Sequence, residues 1–598
     1  MTSFYSSYFL LLLAGTHNAY NTGSHPNILL IILDDLRPTL GCYGDTYAVT
    51  PNIDALAQHG VLFTKAYAQQ ALCGPSRTSF LTSRRPDTTK LYDVHSYWRT
   101  HAGNFTTLPQ YFKNHGYHTV SFGKVFHPGI VSNHTDDQPY SWSEDPYHPP
   151  SQKFKNAPVC PDSDGSLHTN IYCPVEVEKQ PGKSLPDIET TRAAVKWLEN
   201  RSLMGNQPFF MAVGFHKPHI PLKFPKRFTD FYPIDTVPMP PDDDYSKGLP
   251  SVAWNPWNDL RRRDDIKRLN VSFPYGPIPK FYARYIRQGY YAATTYVDSL
   301  IGHLLATVKS HFADTIVALL GDHGWSLGEH QEWSKFSNFE VATRVPFIIS
   351  KLQSSVDLIS DKANGKNSIY EIKREKLYMN NVNESVNHNK IFPFLFVSES
   401  GDIHFNTKYK GRTFDKEYNY NFSSHEDLVE LVDLFPTLVD LVGLPAIPPC
   451  PDYSQHVEIC SEGNSLAPLL NTKLPNAFEN TFRSKVLSGT EIKKASFSQY
   501  PRPGLEPSVT PDSDQPRMSE TRIMGYSMRT HRFRYTAWLK FDNITYKPDW
   551  SEILAEELYD HKYDDGEDHN VCHKKSYQFQ KKHLLKQLFH SLGINSLV

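Results

Sequence analysis

Four stretches of the chain are apolar without interruption rather than alternating: residues 27–33, 209–214, 315–320 and 345–349. Strands buried on both faces read this way, because neither face has to meet water. The first run, Asn27-Ile28-Leu29-Leu30-Ile31-Ile32-Leu33, is bounded by Pro26 and Asp34. Between the runs, apolar positions at helical spacing predict helices over 51–59, 108–115, 187–200 and 282–310. Strands alternating with helices predict an α/β layered domain, whose ligand sites gather at the carboxyl ends of the strands. Polar motifs stand at three such ends: Asp34-Asp35, His216-Lys217-Pro218-His219 and Gly321-Asp322-His323-Gly324.

Further along, the pattern changes. Residues 351–390 are rich in asparagine and lysine with little apolar periodicity, and predict a polar surface insertion reaching to about 420. A helical pattern over 427–442 leads through Leu444-Pro445 and Pro448-Pro449 into a region with strand signals around 527–538 and a Lys/His-rich helical tail over 577–592. We therefore expect a leader over 1–24, a large domain over 25–445 and a smaller α+β domain over 446–598, since 598 residues exceed a typical single core. There is no internal repeat.

Composition narrows the partners. Sixty-two basic against 64 acidic residues leave a net charge of −2, which argues against a nucleic-acid binder and requires any anionic ligand to be held by a local basic cluster. The 27 histidines would turn the surface cationic near pH 5, as suits a polyanionic ligand in an acidic compartment. A short apolar run over 4–14 resembles a secretory leader, and no later segment predicts membrane insertion. Seven Asn-x-Ser/Thr sites, at Asn104, Asn133, Asn200, Asn270, Asn383, Asn421 and Asn543, agree with the secretory pathway. Seven cysteines leave at least one unpaired. Cys160 with Cys173, and Cys450 with Cys460, enclose short loops and can each close locally; Cys42 and Cys572 are undecided, and Cys73 is the candidate for another role.

Cys73-Gly74-Pro75-Ser76-Arg77 reads Cys-x-Pro-x-Arg. With Asp34-Asp35, Asp322-His323, the stretch Gly116-Tyr117-His118-Thr119 to Gly123-Lys124-Val125-Phe126-His127, and Lys335 after Gly324-Trp325-Ser326-Leu327-Gly328-Glu329-His330, it resembles the sulfatase family. The resemblance implies an alkaline-phosphatase-like α/β/α layered domain with a smaller C-terminal α+β domain. It further implies that a formylglycine-generating enzyme converts Cys73 to formylglycine, the nucleophile. Asp34, Asp35, Cys73, Asp322 and His323 are then the Ca2+ set; His323 stands where many members carry asparagine, and its imidazole is a softer ligand than a carboxamide oxygen. Arg77, Lys124 and Lys335 are implied to neutralise the sulfate, His216 or Lys335 to protonate the departing sugar oxygen, and His127 to act as base in releasing sulfate.

Longer stretches, including Arg84-Arg85-Pro86-Asp87-Thr88-Thr89, Tyr275-Gly276-Pro277-Ile278-Pro279 and Ser498-Gln499-Tyr500-Pro501-Arg502-Pro503, resemble the branch of the family that acts on terminal iduronate 2-sulfate in heparan and dermatan sulfate. Candidates for the substrate pocket are Lys124, Lys335, Trp325, Tyr92, His95, Trp98, Glu462 and Arg517. Two positions depart from that branch. Gln515 replaces a lysine thought to meet the uronate carboxylate, with Arg517 close by, and Ser461 replaces an arginine. The resemblance also implies a sulfated glycosaminoglycan as partner, a monomer open to cleavage between 460 and 490, and delivery to the lysosome or the exterior. Competing readings are a two-zinc phosphatase or phosphodiesterase, against which Cys73 in its frame argues, a sulfatase for another sugar, and an inactive glycan-binding homologue with unmodified Cys73.

Overall fold

The computed structural model describes residues 25–352 apart from 163, 242–243 and 313, and then 395–397, 403–405, 422–473 and 493–592. The leader expected over 1–24 and nearly all of the insertion expected over 351–420 lie outside these residues.

The apolar runs form the middle of an eight-stranded mixed sheet: β1 (Asn27–Asp34), β2 (Gly60–Tyr67), β3 (His118–Gly123), β4 (Phe209–Pro218), β5 (Thr315–Gly321), β6 (Arg344–Val345), β7 (Phe347–Leu352) and β8 (Ser423–Glu430). The order is β6-β2-β7-β5-β1-β4-β3, with β8 also on β2. β1 lies parallel between β4 and β5, and β3 is parallel to β4. β7 runs antiparallel between β5 and β2.

Alternate residues of β1 feed two different cores, which explains why the run is apolar throughout. Leu29, Ile31 and Leu33 pack with α1 (Pro51–Gln58), while Ile28, Leu30 and Ile32 pack with α2 (Cys73–Thr82) and α3 (Leu108–Asn114). The first layer is completed by α4 (Pro186–Arg201) and the 32-residue α5 (Lys280–His311), the second by α6 (Leu434–Leu441). This is the expected α/β/α layering. Leu466, Ala467 and Leu470 pack into the second layer as well.

Residues 427–442, expected as one helix, divide instead. Leu428, Val429 and Glu430 pair in parallel with Lys65, Ala66 and Tyr67 of β2, and one 3-10 turn separates them from α6. The cause is local: Glu430 and Asp433 cap each other across that turn, so the helix cannot extend backwards through them.

Four later strands, β9 (Ser496–Arg502), β10 (Ile523–Arg529), β11 (Phe533–Asp542) and β12 (Lys547–Asp560), form an antiparallel sheet in sequence order. Leu584 and Leu588 of the tail helix α7 (Gln578–Ser591) pack with Met524, Met528 and Tyr535 of that sheet. The sheet is fastened to the large layer by Arg534, which pairs with Glu340 at 2.6 Å and with Glu567 at 2.5 Å. Disulfides join Cys160 to Cys173 and Cys450 to Cys460; Cys42, Cys73 and Cys572 are free and buried.

One close approach positions Lys124. Gly123 at the end of β3 faces Gly214 of β4, and a Cβ on Gly214 would stand 1.9 Å from the carbonyl oxygen of Lys124. Gly214→Ala is expected to displace Lys124 and to cost about 1–3 kcal/mol in a urea unfolding curve. Wild-type stability in the variant would show that the approach is not constraining.

Candidate active site

The carboxyl ends of β1, β3, β4 and β5 deliver Asp34 with Asp35, Lys124, His216, and Asp322 with His323, and the start of α2 delivers Cys73. Asp34 ends β1, and Asp35 follows with φ of 65°, a left-handed turn that brings its amide to Asp322 Oδ1 at 3.0 Å. The Asp35 carbonyl accepts from Tyr290 Oη of α5 at 2.6 Å, which holds this unusual conformation in place. Cys73 is the first residue of α2, and Pro75 sits in the first helical turn, where its missing N–H has no helical partner to lose.

Cys73 Sγ lies 3.3 Å from both Lys335 Nζ and His323 Nε2. Lys335 Nζ also lies 2.6 Å from Asp35 Oδ1, and Lys124 Nζ 2.5 Å from Asp34 Oδ2. Arg77 spans the floor: its Nε donates to Asp322 Oδ2 at 2.8 Å, Nη2 to Asp34 Oδ1 at 3.2 Å, and Nη1 to the carbonyls of Val125 and Lys124. All of these side chains are buried. Burial works against ionised Asp34, yet Lys124, His219, Arg77 and Lys335 hold it well below the usual carboxylate range. Asp35 moves the other way, raised by burial and by Asp34 against the pull of Lys335.

The donor set fits a cation. Among the described residues, ligand atoms of Asp34, Asp35, Cys73 and His323 lie within 4.8 Å of one another, and the buried Asp35 Oδ2 has no hydrogen-bond partner. A buried carboxylate oxygen left in that state calls for a positive partner. His323 is prepared for ligation: with Nδ1 3.0 Å from the Gly324 carbonyl, the proton belongs on Nδ1 and Nε2 faces the cluster. Burial opposes charge on this imidazole, but Asp322 and Cys73 still raise it to about 9. Asp322 spends Oδ1 on the amides of Asp35 and His323, and lies 3.7 Å from His323 Nε2. The other acidic cluster, Glu340, His561 and Glu567, is already neutralised by Arg529 and Arg534.

Residues 26–396 match the family model described as Sulfatase. The chain belongs to the sulfatase family. It is 46% identical to mouse iduronate 2-sulfatase over 91% of its own length and 90% of that protein's, and 46% identical to human iduronate 2-sulfatase over 92% of each. Solved structures share the fold at low identity. A 2-O GAG sulfatase matches with TM-score 0.56 and 20% identity, covering 95% of this chain and 93% of that one. The phosphonate monoester hydrolase of Agrobacterium radiobacter matches with TM-score 0.59 and 18% identity, covering 95% of both.

A cavity of about 170 Å³ opens over this sulfatase centre, with Asp34, Lys124, His127 and His216 in its wall. The structure thus brings Asp34, Asp35, Cys73, Arg77, Lys124, Asp322, His323 and Lys335 into one contact network, with His127 and His216 beside it. The other pocket candidates are placed elsewhere. Trp325 is buried behind Lys335, its ring centroid 5.8 Å from Nζ. Tyr92 is buried with Oη on Asp87, and Trp98 stacks on Phe105. Glu462 is occupied by the Arg85 amide and Thr88 Oγ1, whereas His95 and Arg517 are exposed and none of these six lines the cavity. Ser461 is buried against Ser83.

Two neighbours of the centre were not among the candidate site residues read from the sequence. Asp187, near the start of α4, accepts from the amides of His216 and Lys217 at 2.7 and 3.0 Å and lies 3.1 Å from His216 Nδ1. His219 approaches Asp35 Oδ2 at 4.0 Å and lines the cavity. Its only signal was adjacency to His216; Asp187 carried none, since an acidic residue in a first helical turn is ordinary.

Proposed function

We propose that this sulfatase hydrolyses the 2-O-sulfate of non-reducing-end L-iduronate in heparan and dermatan sulfate, within the secretory pathway and the lysosome. The observation that carries the substrate is the 46% identity to iduronate 2-sulfatases over nine-tenths of both chains. When present, formylglycine made from Cys73 by a formylglycine-generating enzyme supplies a hydrate oxygen as nucleophile, for which Cys73 Sγ marks the place. A divalent cation held by Asp34, Asp35, His323 and Asp322, Ca2+ by the predominance of oxygen donors, supplies positive charge beside the sulfate.

The chain's own groups do the rest. Lys124, Lys335 and Arg77, all buried, present three cations to the sulfate oxygens, where low exposure strengthens charge stabilisation. His216 turns Nδ1 toward Asp187, so Nε2 is the nitrogen left to the departing sugar oxygen; it donates there from the imidazolium, the form that burial opposes and Asp187 favours. His127 is suited to the opposite task. Its Nδ1 lies 2.9 Å from the Pro128 carbonyl, and burial with repulsion from Lys124 holds the ring neutral, leaving Nε2 to accept a proton.

The test of the substrate is sulfate release at acidic pH from disaccharides ending in iduronate 2-sulfate, glucuronate 2-sulfate or glucosamine 6-sulfate. Release from the first alone is expected; release from either other sugar in its place moves the substrate. Asp187→Asn should lower kcat on the iduronate substrate by about tenfold to a hundredfold and leave an aryl sulfate, whose phenolate departs without an acid, nearly unchanged. Equal losses on both would remove His216 from the acid role. Dialysis against EGTA should lower the melting temperature and stop turnover, with Ca2+ restoring both. A melting temperature indifferent to chelator and Ca2+ would count against the cation.

A further inference from the structure

The cavity is lined by four lysines and three histidines against one carboxylate, that of Asp34. Three of these lysines are committed. Lys124 pairs with Asp34, Lys217 donates to the carbonyls of Pro221 and His219, and Lys223 donates to those of Phe154 and Lys155 at 3.0 and 3.4 Å. Lys155 differs, since its ammonium has no hydrogen-bond or ion-pair partner among the described residues. The backbone that carries it is nevertheless fixed. It follows the 3-10 turn Pro150–Phe154, whose end Lys223 clamps from below.

The charge of Lys155 is felt at His127, Lys217 and His219 across the cavity. Burial, and then repulsion from Lys124, draws its ammonium down to about 8. Crowded cations that lack a counter-charge are relieved when an anion enters, and a partly desolvated ammonium gains more from that anion than a surface lysine does.

We propose that the cavity holds a second anion subsite, centred on Lys155 and separate from the sulfate pocket of Arg77, Lys124 and Lys335, which takes a further carboxylate or sulfate of the same substrate molecule. The inference rests on the sulfatase reading above. At about 170 Å³ the cavity is small beside a drug-sized site, so the second group belongs to the sulfated sugar or to the one joined to it. The two sources are the carboxylate of the uronate undergoing desulfation and a sulfate on the adjoining glucosamine.

The experiment compares wild type, Lys155→Gln and Lys155→Arg on three disaccharides with terminal iduronate 2-sulfate. One carries glucosamine sulfates, one lacks them, and one has its iduronate carboxylate reduced to the alcohol. Lys155→Gln should raise KM about tenfold with kcat little changed, and Lys155→Arg should recover most of the loss. The effect should vanish on the disaccharide that lacks the recognised group, which identifies that group. An unchanged KM in Lys155→Gln overturns the subsite and leaves the sulfatase reading standing; so does an equal rise on all three disaccharides, the result of a structural role. Failure of the wild type to release sulfate from any of them overturns the reading and the subsite together.

Discussion

Cys73→Ser is expected to retain less than about a thousandth of wild-type sulfate release while unfolding at the wild-type temperature. The two halves of this outcome have separate causes. Serine matches the thiol in size, and its hydroxyl can keep the contacts that Sγ makes at 3.3 Å with Lys335 and His323, so nothing in the packing is lost. Serine cannot be converted to the aldehyde, so the nucleophile is lost entirely. Turnover and thermal unfolding measured on one preparation check both halves. Substantial sulfate release would mean that a plain hydroxyl or a water serves as nucleophile, and the formylglycine mechanism would fall. A large drop in melting temperature would mean instead that the loss is structural.

Arg77→Met should lose both stability and activity. The guanidinium is fully buried and is shared between Asp34, Asp322 and the carbonyls of Lys124 and Val125. Methionine fills much of the volume but leaves two buried carboxylates with less positive charge, a change that costs about 3–5 kcal/mol where one partner of a buried pair is removed. Arg77→Lys should recover only part of this, because one ammonium cannot reach four acceptors on two sides of the floor. Urea unfolding gives the stability. Since Arg77 also lies in the Cys-x-Pro-x-Arg motif, mass analysis of the peptide containing residue 73 must accompany the kinetics. A fully converted and stable Arg77→Met enzyme with near wild-type turnover would show that the cation set works without Arg77.

Chain pattern alone carried a good deal of this. Uninterrupted apolar runs marked the strands because a strand covered on both faces has no polar side to display, and β1, β4 and β5 lie where the runs lie. Acidic and basic motifs at the ends of those strands marked the centre, since strand ends are where an open α/β sheet leaves side chains free of packing. Short Cys-to-Cys loops marked both disulfides, because closure over about a dozen residues needs no long-range geometry. Pattern failed over 427–442, where leucines and valines at helical spacing served first a strand beside β2 and only then a helix. Such a choice depends on a partner strand some 360 residues away, and periodicity does not carry that information.

Which residues gather into one network was therefore legible in the sequence, through motifs of characteristic residue type and spacing. Orientation and exclusion were decided only by tertiary structure. Which nitrogen of His216 faces the cavity depends on Asp187 at the start of α4, and which nitrogen of His323 faces the carboxylates depends on a neighbouring carbonyl. Trp325, Tyr92 and Trp98 are as suitable as any residue for gripping a sugar, yet the fold buries them, while Lys155 and His219 reach the cavity. The physical reason is that residue type sets what a side chain can do, whereas its solvent exposure and counter-charges come from segments far away in the chain and are settled only when the layers close.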